Sequence, residues 1–378
     1  MKILGIETSC DDTGIAILAT RGEPTSWKIL SNIVSSQVKV HQKYGGVYPM
    51  MAKREHQKNL VPVLKLALLK AGKLIRKTKN QNQKEGSKFK TLKNILNREE
   101  ELFKKIFRFF QNYKKPDIDV IAVTNGPGLE PCLWVGVNFA RALSFFWNIP
   151  IVAVNHLEAH ILINLLKNPD IKVPAIALLA SGGHTQIVLV KKIGKYKILG
   201  ETRDDAAGEC FDKCAKILGL GYPGGPIISK LAKKSQTQKF NHLPRPMINT
   251  KDYDFSFSGL KTAVLYADKK IKRKNKKYQK EMAAEIEQAI IDVLLKKTIR
   301  AAKDFRARSL ILGGGVTANN ELRRQFLEKF DVGKIFFPEP QLATDNALMV
   351  AAAGYFKAKH NKFIKWQKLE ANANLGLK

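Results

Sequence analysis

The segment NHLEAH places two histidines, His156 and His160, four residues apart. On a helix they fall roughly 40° apart around the axis, so both imidazoles can reach one metal ion. Histidine pairs at this spacing also occur in ordinary cores and on surfaces, so a site requires a third ligand. The best carboxylate further along is Asp345 in LATDNALM, at a strand-to-helix junction. Two imidazoles and one carboxylate leave coordination positions open, which suits Fe(II) or a catalytic Zn(II). A zinc peptidase would need His-Glu-x-x-His, with the glutamate beside the first ligand. Here Glu158 comes two residues after His156. That is roughly 200° round the helix, the wrong side for a base at the metal.

A second set of residues could receive phosphate or sugar. SGGHT (Ser181–Thr185) and GGGVTANN (Gly313–Asn320) each follow a predicted strand, and the second also opens a helix that Asn319 would cap. Gly182, Gly183, Gly314 and Gly315 lack a Cβ, so backbone N–H groups there can approach an oxygen closely, although tight turns alone would also explain them. Neither stretch is GxxxxGK[ST], which excludes a P-loop. In the turn SCDDTG, Asp11 and Asp12 sit where a hairpin tip could face a phosphate or its Mg(2+). In Asp204–Pro226 a short predicted helix carries Asp212 and Lys213, and Gly219, Gly221, Gly224 and Gly225 follow. One glycine is an ordinary helix cap; four predict a ligand-facing loop.

The elements that must hold these residues repeat. Residues 2–37 give an apolar strand, a polar turn, a second strand and a third; residues 174–202 give the same order. Each meander is followed by helical and strand/helix patterns, DIDVIAVT in the first half and SLILGG in the second. A duplicated hairpin-plus-strand unit with α/β crossovers predicts two similar α/β lobes around a cleft. The boundary falls near residue 165, with the last helix, from about 345, packing back on the first lobe.

Composition supports a large core and limits the partners. The chain has 378 residues, 44% of them hydrophobic, enough for two lobes. Its 65 Lys+Arg against 33 Asp+Glu, a formal +32, favour a polyanion, unless the whole chain is simply lysine-rich. From Lys70 to Lys115 there are 15 Lys/Arg against 4 Glu, and from Lys269 to Lys280 eight of twelve residues are basic. In the first run Leu102, Ile106, Phe109 and Phe110 recur at helical spacing, so that part folds onto the body. The cysteines Cys10, Cys132, Cys210 and Cys214 form no CxxC pair, as expected of reduced thiols. Glu7 interrupts the apolar start before a signal sequence can form, and no apolar run is long enough to cross a membrane. The chain reads as a soluble cytoplasmic protein with no membrane partner.

In order, GIETSCDDTGIAI, HQKYGGVYP, KREH, GPGLEPCLWVG, NHLEAH, SGGHTQ, DDAAGECFDK, GYPGGP, FSFSGLKTAV, GGGVTANNELR and TDNALM resemble one family. It is the bacterial and organellar tRNA threonylcarbamoyladenosine transferases (TsaD), formerly called O-sialoglycoprotein endopeptidases. The resemblance runs from residue 3 to about 354. It implies a two-lobed ASKHA fold (actin, Hsp70, sugar kinases), made of duplicated RNase-H-like lobes. It implies transfer of threonylcarbamoyl from threonylcarbamoyl-AMP to the adenosine 3′ of the anticodon, in tRNAs reading codons that begin with A. His156, His160 and Asp345 would hold the metal, Fe(2+) or Zn(2+). Leu179, Ala180, Ser181, Gly182, Gly183, Asp212, Gly225 and Asn319 would contact substrate, and Mg(2+) could accompany a nucleotide. Implied partners are tRNA, a degenerate paralogue (TsaB), a small ATPase (TsaE) and a separate enzyme making the adenylate. Three departures stand out: CDDT at Asp12 where CDET is usual, Met51 in PMMA for the glutamate of PELA, and Ser229 where some relatives carry an acidic contact. The stretch from about 75 to 115 looks like an insertion. Competing readings are a metallo-endopeptidase, a small-molecule kinase of the same fold, and a nucleic-acid-binding ATPase.

Overall fold

In this computed structural model the apolar run KILGIE is buried from Ile3 to Glu7 and forms β1 (Lys2–Glu7). The structure describes residues 1–21, 27–78, 86–235, 243–271 and 275–377. The chain divides into two units. The first comprises Met1–Gln37, Val47–Pro169 and Asp345–Gly376, the second Val38–Gly46, Asp170–Thr344 and Leu377–Lys378.

In the first unit β1, β2 (Asp12–Ala19) and β3 (Lys28–Ser36) form an antiparallel meander. Parallel β4 (Val120–Gly126) and β5 (Ile151–Asn155) extend it, in the order β3-β2-β1-β4-β5. Alternation sets the two faces. Leu4, Ile6, Ile15, Ile17, Ile121 and Val123 pack with the helices Pro49–Lys70 and Glu130–Trp147. The opposite face offers Gly5, Gly14 and Ala122 to the helix Ala347–Lys359. A Cβ on Gly5 would lie 2.2 Å from the Ala347 carbonyl oxygen, and one on Gly354 would lie 2.4 Å from Ala122 Cβ. Small residues on both sides let this helix sit close, which delivers Asp345, two residues before it, to the ends of β1 and β2.

Within the lysine-rich stretch the described residues form two helices, Gly86–Ile95 and Glu100–Asn112. Leu102, Ile106, Phe109 and Phe110 of the second helix are buried, as their spacing predicts, and Phe110 stacks on Phe146 at 3.8 Å between centroids. Residues 79–85, the Gln/Asn-rich centre, lie outside the described residues.

The second unit repeats the plan. Antiparallel β6 (Ala175–Ala180), β7 (Thr185–Lys192) and β8 (Lys195–Glu201) are joined by parallel β9 (Ser309–Gly313) and β10 (Lys334–Phe336). Counted from the first strand of each unit, both sheets run third-second-first-fourth-fifth. The duplication read from the meanders therefore extends to the fourth and fifth strands. Ile176, Leu178, Leu310 and Leu312 share the core with the long helix Lys276–Asp304 and with Ala207–Ile217. No helix among the described residues is long and apolar enough to cross a membrane.

Candidate functional site

The first unit gathers a cluster of ionisable residues where β1 and β5 end and β2 begins. The helix His156–Leu162 starts there because Asn155 caps it: Oδ1 accepts from the N–H groups of Leu157 (2.9 Å) and Glu158 (3.1 Å). Asn346 caps the helix after Asp345 in the same way, at 3.1 Å from Leu348 N and 3.2 Å from Met349 N. The two caps fix the starts of the two ligand-bearing segments. The buried rings of His156 and His160 lie 4.7 Å apart at 85°. Their Nε2 atoms are 3.5 and 3.2 Å from Asp345 Oδ1. One ligand atom from each of the three residues lies within 4.8 Å of the others. Metal–ligand bonds of roughly 2.0–2.2 Å fit such a gap, and two imidazoles with one carboxylate are a fitting donor set.

Glu7 and Ser9, which the sequence reading did not assign, stand behind His156. Glu7 is wholly buried, with Oε2 at 3.4 Å from His156 Nδ1, and Ser9 Oγ lies at 3.2 Å from the same nitrogen. Burial opposes a charge on His156, but Asp345 and Glu7 outweigh it and push the imidazole up to about 9. Burial likewise raises Asp12, helped by Asp345 and Asp11, to about 7. These shifts describe a pocket with surplus negative charge, and a cation beside Asp345 would lower Asp12 again. Glu158 is held elsewhere: its Oε2 pairs with Lys357 Nζ at 3.0 Å, bracing the histidine helix against Ala347–Lys359.

In the second unit, Leu179 and Ala180 end β6 and are buried. The turn after them is closed by Ser181 N–H to the His184 carbonyl (2.8 Å) and His184 N–H to Ser181 Oγ (3.1 Å). A Cβ on Gly182 or Gly183 would meet nothing within 4 Å, so no packing explains these glycines and a ligand has room to approach. Gly314 is different: φ is +90° and its Cβ would stand 2.5 Å from the Ala180 carbonyl oxygen. Gly315 starts the 3-10 turn Gly315–Ala318, and Asn319 then caps Asn320–Lys329 through Leu322 N–H at 2.9 Å. Asn319 Nδ2 also donates to Glu287 Oε1 at 2.6 Å, with Ser229 Oγ at 3.4 Å.

In the four-glycine loop the structure gives three of the glycines a reason of their own. Gly219 and Gly221 have φ of +70° and +92°, which turn geometry requires. Gly224 opens the helix Gly224–Ala232, where a Cβ would lie 2.6 Å from Ala215 Cβ and from the Phe211 carbonyl oxygen. Only Gly225, clear of Phe211 by 3.9 Å, lacks a conformational or packing reason. Asp212 Oδ1 accepts the Gly224 N–H at 2.6 Å, and Lys213 is drawn to Asp205 (2.7 Å) and Glu209 (2.9 Å).

The chain matches the model of the family TsaD, tRNA N6-adenosine threonylcarbamoyltransferase, over residues 28–79 and 93–352. This narrows the stretch outside the family pattern to 80–92 in that region, and the helix Glu100–Asn112 falls within the match. A tRNA N6-adenosine threonylcarbamoyltransferase of Thermosipho africanus is 44% identical over 358 residues, 94% of each chain. One of Thermotoga neapolitana is 41% identical over 380 residues, the whole of both chains. Among solved structures, component A of the (R)-2-hydroxyglutaryl-CoA dehydratase of Acidaminococcus fermentans shares the fold. Its TM-score is 0.52 at 15% identity, over 95% of this chain and 99% of that one. Full-length HypF in its phosphate- and nucleotide-bound form does so at 0.54 and 12%, over 97% of this chain and 56% of that one.

Proposed function

The chain belongs to the tRNA N6-adenosine threonylcarbamoyltransferase family, and on that premise we propose that it moves threonylcarbamoyl from threonylcarbamoyl-AMP to a tRNA adenosine with the help of one metal ion held by His156, His160 and Asp345. The activity rests on the family match; the observation that carries the metal reading is the meeting of those three ligands within 4.8 Å. The donor is a mixed anhydride whose AMP leaves readily, whereas the exocyclic amine of adenine is a weak nucleophile because its lone pair is delocalised. Catalysis must therefore hold the two in line and make the carbonyl more electrophilic. Fe(II) or Zn(II), when bound, would supply Lewis-acid polarisation. The chain's part is to keep the ligands aimed: two helix caps fix His156 and Asp345, and Glu7 with Ser9 fixes the His156 ring.

Leu179–Gly183, Asp212, Gly225 and Asn319 are proposed to bind the donor, with N–H groups of the SGGHT turn directed at its oxygens. Asp11 and Asp12 would meet Mg(2+) when a nucleotide brings it. Lys269, Lys270, Lys276 and Lys277 are exposed, fitting contact with tRNA phosphates; Lys272, Arg273 and Lys274 lie outside the described residues. A TsaB-type paralogue and a TsaE-type ATPase are the expected protein partners, with a separate enzyme making the adenylate. A peptidase would require Glu158 as base, and Lys357 holds that carboxylate.

The test supplies purified protein with threonylcarbamoyl-AMP, its partner proteins and unmodified tRNA carrying adenosine 3′ of the anticodon. Mass spectrometry of the nucleosides should show threonylcarbamoyladenosine, with AMP released in equal amount. No modified adenosine, beside a control enzyme that succeeds, would overturn the reading.

A further inference from the structure

We propose that Glu7 is a positioning residue of the metal centre, holding His156 through Nδ1 so that Nε2 carries the lone pair that meets the ion. β1 is apolar except at this end, and a wholly buried carboxylate there needs a reason. Glu7 is fixed before the imidazole is considered: Oε1 accepts from Ser9 N–H at 2.6 Å, and Oε2 accepts from the Thr124 hydroxyl at 2.6 Å. The same Oε2 lies 3.4 Å from His156 Nδ1. An ionised carboxylate only accepts hydrogen bonds, so Nδ1 must be the donor. In the neutral ring a proton on Nδ1 leaves the Nε2 lone pair for a cation, and Nε2 is the nitrogen 3.5 Å from Asp345 Oδ1. Ser9 Oγ lies 3.2 Å from Nδ1. His160 has no equivalent: its Nδ1 is buried and has no hydrogen-bond partner among the described residues. The orienting carboxylate therefore serves one ligand of the pair.

A glutamine would preserve a purely structural role: its amide oxygen can accept from Ser9 N–H, and the Thr124 hydroxyl, which also accepts, can turn to receive the amide NH2. It would not preserve a metal-orienting role, because a glutamine amide turned toward Nδ1 donates and favours the proton on Nε2.

The inference rests on the metal reading above, and the experiment separates the two. Full-length metal-free protein is titrated with Co(2+) and Zn(2+) alone, as wild type and as Glu7→Gln. Wild type should bind one ion, and Glu7→Gln should bind roughly 10–100-fold more weakly while keeping its circular-dichroism spectrum. Thr124→Val, which removes a brace of Glu7 but not the imidazole contact, should lower thermal stability and leave affinity near wild type. In Zn(2+)-loaded wild type, NMR should find the His156 proton on Nδ1 in slow exchange with water, and this reading holds even if Glu7→Gln fails to fold. Equal affinities, or a Zn(2+) form with Nδ1 as the ligand, would overturn the role of Glu7. A wild type that binds neither ion would bring down the metal reading itself, and this inference with it.

Discussion

In the first unit Gly128, after β4, comes so near the residues following β1 that a Cβ would stand 2.6 Å from the Ser9 carbonyl oxygen. In the second, Gly314, after β9, bears the same relation to Ala180 at the end of β6, at 2.5 Å. The strand order and this glycine contact are shared, yet the groups at the strand ends are not. Around β1, Glu7, Asp12, His156, His160 and Asp345 are crowded and largely out of water. Around β6 the turn offers two open glycines, closed by neutral hydrogen bonds. Burying several ionisable groups is costly unless an opposite charge joins them, which is the physical ground for the metal proposed in the first cluster. The second, built of exposed backbone, calls for oxygens to bind. One scaffold carries ionisable side chains at one set of strand ends and open backbone at the equivalent set.

The sharpest way to break this comparison is to remove a ligand from one unit and a binding side chain from the other. His160→Ala and Asp345→Ala should each lose the metal and slow transfer on the order of 10³-fold, since Lewis-acid assistance is worth several kcal/mol. Asn319→Ala should keep its metal, lose about 1 kcal/mol of stability with the helix cap, and raise the donor concentration needed for half-maximal rate. Elemental analysis beside steady-state kinetics reads both. Full metal occupancy in His160→Ala would undo the assignment of the first unit.

The glycines sharpen the comparison at smaller scale. Gly128→Ala and Gly314→Ala should each cost about 1–3 kcal/mol by denaturant midpoint, because the new methyl meets backbone that cannot step aside. Gly128→Ala should also weaken metal binding, as it displaces Ser9 from His156. Gly182→Ala, with nothing within 4 Å, should stay within about 0.5 kcal/mol of wild type and show its effect in donor binding. A large stability loss in Gly182→Ala would mean that the open turn is held by packing after all.

These expectations show what the sequence could and could not disclose. The meanders were legible because β-branched runs and polar turns are local signals, and NHLEAH was legible because helical spacing puts its histidines on one face. Asp345 could be singled out as a carboxylate just ahead of a helix, although the residues before it form the short helix Pro340–Ala343 and not the expected strand. Glu7 could not, since its contact with His156 spans 149 positions. Its one local sign was an acidic residue closing an otherwise apolar strand, which served only to argue against a leader sequence. Lys357, the partner of Glu158, and Glu287, the partner of Asn319, were hidden for the same reason. Of the four glycines from Gly219 to Gly225, turn geometry and a close helix contact account for three, which no local sequence signal separates from Gly225.

The smallest predicted effect concerns Glu287, a buried carboxylate of the second unit. Burial raises its affinity for a proton, while Asn319 and Ser229 pull in the opposite direction and only partly offset it. A folded-state pKa above the unfolded one means that the folded state holds the proton more tightly. Its stability contribution is therefore full below the ordinary glutamate range, near about 4.3, and is lost as pH rises through the raised value. At neutral pH the wild type bears the cost of an ionised buried group, which Glu287→Gln removes while its amide oxygen can still accept from Asn319. The variant should melt about 2 °C higher than wild type at pH 7.5, with the gap closing as pH falls toward 4. Glu7→Gln should show no such gain, because His156 draws the Glu7 carboxyl below its usual range. Thermal unfolding of both variants at the two pH values decides the matter. A Glu287→Gln advantage that is absent at pH 7.5, or that grows in acid, would show that the second unit does not carry an uncompensated charge.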